Sequence, residues 1–354
     1  MTAEELDAAK IARFRTRVID DLAASAAAVL IRLGDRLGLY RAMADGKAVT
    51  SAQLAVRTGL AERYLREWMH AQAAGGWLTY DPATDTFTLP AEHAVVIADR
   101  DASTDMLGAF DWIPGLWADA DALEQAFRTG AGIGWHQHDE RLYAGTERFF
   151  GAGYRINLIA SWLPALDGVL ERLTAGARIA DVGCGYGAAT ILLARAFPDS
   201  QLVGYDYHEA SVATARTRAA EAGLTNLRFD VGTAEDFDGT FDLICLFDCL
   251  HDMGDPLAAL THIRGALADG ATLMLVEPAS HDRAQDNHRS PLGRLFYAIS
   301  TMICVPGSLA QAGGQGTGNQ LGPARLTSLM ESAGFGRVRL AVVSPVNLVF
   351  EARR

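Results

Sequence analysis

Ala177-Arg178-Ile179-Ala180-Asp181-Val182-Gly183-Cys184-Gly185-Tyr186-Gly187 is the stretch that decides the fold of this chain. A short apolar run ends at an acid and opens into three glycines at alternate positions. An apolar helical stretch, Ala188 to Phe197, follows at once. The pattern predicts a buried strand, a tight turn and the start of a helix. Glycine suits such a turn because the backbone takes positive φ there and a ligand can approach without a Cβ in the way. The helix end adds unpaired N–H groups and the positive end of a dipole. At the carboxyl edge of a parallel sheet these features make a place for an adenosine-containing cofactor.

Two cofactors compete for that place. Gly183, Gly185 and Ala188 also satisfy the dinucleotide spacing G-x-G-x-x-A. Against a dinucleotide stands Asp181, whose carboxylate would repel a pyrophosphate but suits the ammonium and sulfonium groups of S-adenosylmethionine. The glycines also read as G-x-G-x-G. A second strand, Gln201-Leu202-Val203-Gly204-Tyr205-Asp206, ends in an acid placed to accept from ribose hydroxyls, a feature that nicotinamide enzymes share.

On these residues, 177–354 resemble a class I S-adenosylmethionine-dependent methyltransferase. Asp181 to Gly187 match that family's first motif and Asp206 its ribose acid. The resemblance implies an α/β fold, a seven-stranded Rossmann-like sheet closing in an antiparallel C-terminal hairpin. It places Gly183, Gly185 and Gly187 around the methionine part of the cofactor. It places Thr233 and Ala234, after the strand Leu227 to Val231, beside the adenine, where many relatives carry an acid at the Thr233 position. Tyr207, Phe247 and Asp248, at the ends of the second and fourth strands, complete the expected cofactor contacts.

The bulk numbers set bounds. A length of 354 residues fits two domains, and 49% hydrophobic residues support packed cores. A net charge of −12 argues against binding through a basic surface. The four cysteines, Cys184, Cys245, Cys249 and Cys304, form no C-x-x-C pair and read as reduced, buried thiols. The charged, helical start reads as no signal peptide, and no uncharged apolar run reaches membrane-spanning length. A cytoplasmic protein is expected.

The N-terminal 100 residues read as a winged helix. Residues 4–45 show helical spacing of Ile11, Phe14, Val18, Leu22, Val29, Leu33 and Leu37. A short helix capped by Thr50 or Ser51, a turn at Gly59 and a helix from Ala61 to Ala74 follow. Trp77 to Tyr80 and Thr86 to Leu89 then form a hairpin. Such a domain invites a transcriptional regulator, but Asp81 and Asp85 on the wing would face a phosphate backbone. Dimerisation, or closure of a substrate pocket, is the preferred role. It is what similar winged-helix O-methyltransferases imply, and it makes a homodimer the expected assembly. Residues 101–170 read as a helical connector rich in aromatics, with Tyr154 and Arg155 on the last helix before the sheet as candidate pocket-wall residues. The catalytic domain is expected over 171–354.

Within it, strands are expected at Phe241 to Phe247 and Ala271 to Glu277. A helix from Ala324 to Ala333 and strands Arg337 to Ser344 and Asn347 to Ala352 follow. The two-residue link Pro345-Val346 demands an antiparallel pair, which separates this sheet from the dehydrogenase alternative. The fourth strand runs into Leu250-His251-Asp252, similar to the Leu-His-Asp-Trp element of O-methyltransferases, whose histidine is the general base. That likeness makes His251 the expected base, since an imidazole can take a hydroxyl proton near neutral pH. It makes Glu277 the acid that orients the ring. Those enzymes commonly carry a second acid before the last helix, where Leu321-Gly322-Pro323-Ala324 has none. Methylation at nitrogen or carbon, with His251 only positioning the acceptor, stays open. The insert 281–322 is polar, then apolar and helical from Pro291 to Cys304, then glycine-rich, which reads as a lid. Asn287, Arg294 and Tyr297 are its candidate substrate contacts. The acceptor is expected to be a small, partly apolar molecule. No metal site is assigned: His136-Gln137-His138 lacks a partner cluster, and Asp248, Asp252 and Glu277 lack the acid spacing of magnesium-dependent relatives.

Overall fold

The computed structural model describes residues 6–98 and 106–354. The chain divides into two compact units. One is Met1–Pro114 with Arg141–Ala152; the other is Gly115–Glu140 with Gly153–Arg354. The stretch 101–170 is thus shared between the units, and the expected boundary near residue 100 falls outside the described residues.

In the first unit, Asp7 caps a long helix, Ala8–Arg36, by accepting from the amides of Ala9 and Lys10. The helix stops short of the expected residue 45. Gly38 takes φ +70°, and only the short turn Leu39–Ala42 continues it. Thr50 and Gln53 close a reciprocal capping box at the start of Ser51–Thr58, satisfying two otherwise orphan amides. Glu62–Ala74 follows, then the antiparallel hairpin β1 (Thr79–Asp81) and β2 (Thr86–Thr88). Tyr40, Met43, Leu54, Met69, Phe87 and Leu89 form the core. Tyr40 donates to Gln72 inside it at 2.8 Å, so neither polar tip is left unmet. This is the winged helix the sequence predicts.

The second unit is built on a seven-stranded sheet. Strands β3 (Arg178–Val182), β4 (Gln201–Asp206), β5 (Leu227–Val231), β6 (Phe241–Phe247) and β7 (Leu267–Pro278) are parallel. β8 (Arg337–Val343) and β9 (Asn347–Arg353) are antiparallel, and the order is β5-β4-β3-β6-β7-β9-β8. The Pro345 link does force the hairpin. β7 begins earlier than expected, because Leu267 pairs with Phe241 across a bulge before the regular register resumes at Leu243 and Thr272. The order reverses between β4-β3 and β6, so a crevice is expected at the carboxyl ends of β3 and β6. Ile244 and Leu246 of β6, Leu273 and Leu275 of β7 and Phe350 of β9 are completely buried in the centre of this sheet.

Two local readings need correction. Tyr154 lies on Glu140–Asn157, which is not the last helix before the sheet. The turns Leu158–Trp162 and Leu163–Ala165 and the helix Val169–Thr174 intervene. The helical part of the insert does not stop at Cys304. It runs from Gly293 through a wider π turn, Ser300–Cys304, to Leu309. Among the described residues, no helix is long and apolar enough to cross a membrane.

Candidate active site

The glycine turn after β3 gives its three glycines different work. All three take positive φ. A Cβ on Gly187 would stand 2.5 Å from the Phe229 ring, and one on Gly183 would stand 2.7 Å from Cys249 Sγ. Those two are glycine for close packing. A Cβ on Gly185 would meet nothing within 4 Å, so that residue borders open space. Its amide donates to Asp206 Oδ2 at 2.8 Å, and the His208 amide donates to Oδ1 at 2.9 Å, fixing the acid at the end of β4. Burial raises the Asp206 carboxyl above its ordinary range, and these two amides oppose the rise.

Asp181 is the buried acid of the turn, 1% exposed. Thr190, one turn into the next helix, donates to its Oδ2 at 2.6 Å. Its Oδ1 is buried and has no hydrogen-bond partner among the described residues. Burial pushes this carboxyl up to about 7, against the Thr190 hydroxyl. A buried carboxylate oxygen without a donor is costly. A bound cation at that oxygen would remove the cost, and an ammonium is the cation this turn was expected to meet.

At the end of β6 the backbone turns sharply. Asp248 takes φ +52°, a left-handed conformation uncommon for a residue with a side chain. It is held there by Tyr154, whose hydroxyl donates to Oδ2 at 2.8 Å, and by Asn347 of β9, which donates to Oδ1 at 2.7 Å. Burial pushes the Asp248 carboxyl up to about 8. Phe247 packs its ring 5.2 Å from that of Tyr154.

The next turn, Leu250–Asp252, carries His251, which is buried. His251 Nδ1 lies 2.7 Å from Glu277 Oε2, and the Leu250 amide donates to Glu277 Oε1 at 3.0 Å. A carboxylate only accepts, so Nδ1 carries the hydrogen. On the other side of the ring, Nε2 lies 3.2 Å from Asp252 Oδ1. Burial alone would lower the proton affinity of His251. The carboxylates of Asp252 and Glu277, with Cys304, more than reverse this and hold its pKa well above the usual value. One donor atom each from His251, Asp252 and Cys304 lie within 4.8 Å of one another.

The other candidates divide. Thr233 is exposed and spends its hydroxyl on Asp236 Oδ1 at 2.7 Å, while Ala234 packs against the sheet core. Tyr207 is 39% exposed. Asn287 is buried and closes its own loop, accepting from the His281 amide and donating to the His281 carbonyl. Arg155 and Arg294 are exposed, and Tyr297 packs against His288. Sequence reasoning missed Asp252 as a partner of the ring. It also missed Cys304 beside it, Thr190, Asn347 and the buried pair His138 Nδ1 to Asp119 Oδ2 at 2.7 Å. Only Thr190 left a signal, as the one hydroxyl in the apolar first turns of its helix.

Comparison with known proteins agrees with this architecture. Residues 173–334 match the profile of a methyltransferase domain, and residues 25–99 match that of an Rv2258c-like winged HTH domain. A curated relative, trans-aconitate 2-methyltransferase of Deinococcus radiodurans, is 34% identical over 113 residues, 32% of this chain and 42% of that protein. The chain thus spans less than half the length of that relative. Among solved structures, the mitomycin 7-O-methyltransferase MmcR aligns with a TM-score of 0.67 at 20% identity, covering 98% of this chain and 100% of the other. Human N-acetylserotonin methyltransferase, solved with S-adenosylmethionine, aligns with a TM-score of 0.64 at 16% identity, covering 100% and 99%. At these identities the likeness to solved structures carries the fold alone.

Proposed function

Since the chain carries a class I methyltransferase domain and a winged helix-turn-helix domain, we propose that it methylates a small, partly apolar acceptor at oxygen, using S-adenosylmethionine. The observation that carries this reading is His251, held between Glu277 and Asp252 at the end of β6, on the same sheet edge as Asp181 and Asp206. The cofactor, when bound, supplies an electrophilic methyl on a sulfonium. This chain's residues fit it. The unmet Asp181 Oδ1 suits an ammonium, Gly185 leaves room for a ligand, and Asp206, already fixed by two amides, keeps lone pairs for ribose hydroxyls.

The acceptor hydroxyl must lose a proton as it attacks. That proton goes to the His251–Asp252 pair, whose two groups are close enough to titrate as one unit. Glu277 fixes the ring and balances its charge, the part a carboxylate plays behind a catalytic imidazole. A second reading, methylation at nitrogen or carbon, draws on the same contact. With Nε2 facing Asp252, an imidazolium can orient an acceptor without taking its proton.

The long helix Ala8–Arg36 supports a homodimer. Ile11, Phe14, Val18, Ile19, Leu22 and Val29 are exposed along it, a longer apolar stripe than a lone surface helix carries. Duplex DNA is a poor partner for the winged helix. Arg63 pairs with Glu67 at 2.6 Å and Arg66 with Glu62 at 2.8 Å, so the arginines of that helix already have anions. The four cysteines are unbridged, in keeping with a reducing, cytoplasmic setting.

The test is transfer of labelled methyl to a panel of small alcohols, phenols and amines. His251→Ala should keep cofactor affinity, read by calorimetry, and lower turnover by about 10²–10⁴-fold. Near-full turnover in that variant would remove His251 from proton transfer and favour the second reading.

A further inference from the structure

Four consecutive carbonyls of the His251 turn each accept a hydrogen bond from the insert that follows β7. Thr317 donates its hydroxyl to His251 O at 2.8 Å, and Gln311 Nε2 donates to Asp252 O at 2.7 Å. Ser308 donates to Met253 O at 2.7 Å, and the Gln315 amide donates to Gly254 O at 3.0 Å. The two segments touch so closely that a Cβ on Gly254 would stand 2.0 Å from Ala312 O. Ser308 is completely buried and also accepts from the Gly316 amide at 3.0 Å, so it ties the helical and glycine-rich parts of the insert together. The same insert brings Cys304 against His251 and Asp252.

This pattern is not what a swinging lid needs. A lid meets a site through few and replaceable contacts. Here a donor is spent on every residue of a four-residue turn, and none of the donors is charged. Neutral donors fix position without altering the charge balance of the ring. We propose that the insert is a clamp that holds the His251–Asp252 turn in its proton-handling geometry, with Thr317 and Gln311 as its positioning residues. The proposal deepens the reading of His251 as the proton-handling group and rests on it.

The groups facing His251 are Glu277 from β7, Asp248 and Asp252 on its own segment and Cys304 from the insert. Loosening the clamp would let Asp252 drift from Nε2 and remove the larger of the two carboxylate contributions to the ring's proton affinity.

The experiment uses the full chain with isotopically labelled histidine and follows the imidazole titration by NMR, the His251 signal being assigned by its absence in His251→Gln. Thr317→Val and Gln311→Met remove one donor each at nearly constant volume. Both should bind S-adenosylmethionine as the native chain does, while the His251 midpoint falls by about one unit, a tenfold loss of proton affinity. Thr317→Ser, which keeps the hydroxyl, should restore it. An unchanged midpoint in both variants overturns the clamp. If Thr317→Val does not fold, Gln311→Met alone decides. The titration needs no acceptor and no turnover, so failure of the clamp and failure of His251 as a base are read separately.

Discussion

His251 Nε2 stands 3.2 Å from Asp252 Oδ1, the carboxylate of the very next residue, while its Nδ1 stands 2.7 Å from Glu277. Both nitrogens of one buried ring therefore face acids. A histidine in this setting keeps its proton to higher pH than a free one, and the atom that would accept a substrate proton already has a neighbour. On the proposed role of His251 as the proton-handling group, Asp252 shares in setting the pH range of turnover.

Asp252→Asn should move the midpoint of the pH–rate profile to lower pH by about one unit or more, because burial is then opposed only by Glu277 and Cys304. The stability change has a definite sign. A raised folded pKa contributes stability that is complete below the unfolded value near 6.5 and is lost as pH rises through the folded value. Native chain and variant should therefore differ most in urea midpoint just below pH 6.5, and the gap should close toward alkaline pH as the ring loses its proton and toward acid pH as Asp252, itself raised by burial, gains one. A gap that is constant across the range would contradict the ion pair.

Asp181 should make cofactor binding pH-dependent. Its carboxyl, pushed up to about 7 by burial, is partly protonated at neutrality, and an ammonium at Oδ1 would favour the ionised form. Binding of S-adenosylmethionine should release up to about half a proton at pH 7, and affinity should rise with pH through that region. Calorimetry in two buffers of different ionisation enthalpy measures the release. Asp181→Asn should abolish it and weaken binding. Equal heats in both buffers for the native chain would refute the assignment.

The glycines should separate ligand from fold. Gly187→Ala meets the Phe229 ring at 2.5 Å at a φ of +79°, so it should lower stability by roughly 1–3 kcal/mol. Gly185→Ala meets no atom of the chain, so its cost in stability should be smaller and its cost in cofactor affinity larger. Thermal melts and calorimetry on the two variants give the comparison. Equal loss of affinity in two equally stable variants would mean that Gly185 does not border the ligand.

The stripe on Ala8–Arg36 should be an association surface. Phe14, 70% exposed, and Leu22, 66% exposed, lie eight residues apart on the helix. Phe14→Glu with Leu22→Glu should convert a dimer to a monomer in sedimentation equilibrium, since burying two carboxylates in an apolar seam is costly. An unchanged mass would assign the stripe to something other than a second copy.

Much of the architecture was legible because it rests on local chemistry. Thr50 or Ser51 announces a helix start, alternating glycines after an acid announce the turn, and Pro345-Val346 is too short for anything but a hairpin. The strand ends follow from these, so His251 and Glu277 could be assigned to one edge although 26 positions separate them in the chain. The insert was legible only as composition. Its glycines read as freedom to move; in the fold Gly313, Gly316 and Gly318 take positive φ, and Gly313 lies against Gly254 and Asp255.

The sequence by itself determined the element types, the sheet edge of the candidate site and the acids near the ends of β3 and β4. Periodicity, turn chemistry and strand-end polarity act over a few residues and are written into the chain directly. Only the tertiary structure decided which neutral donors reach the His251 turn, that Cys304 stands beside the ring, and that Asp252 faces Nε2. Those contacts join residues up to 66 positions apart or depend on the hand of one tight turn. Their energies appear only when packing brings the partners within hydrogen-bond range, so no local pattern announces them.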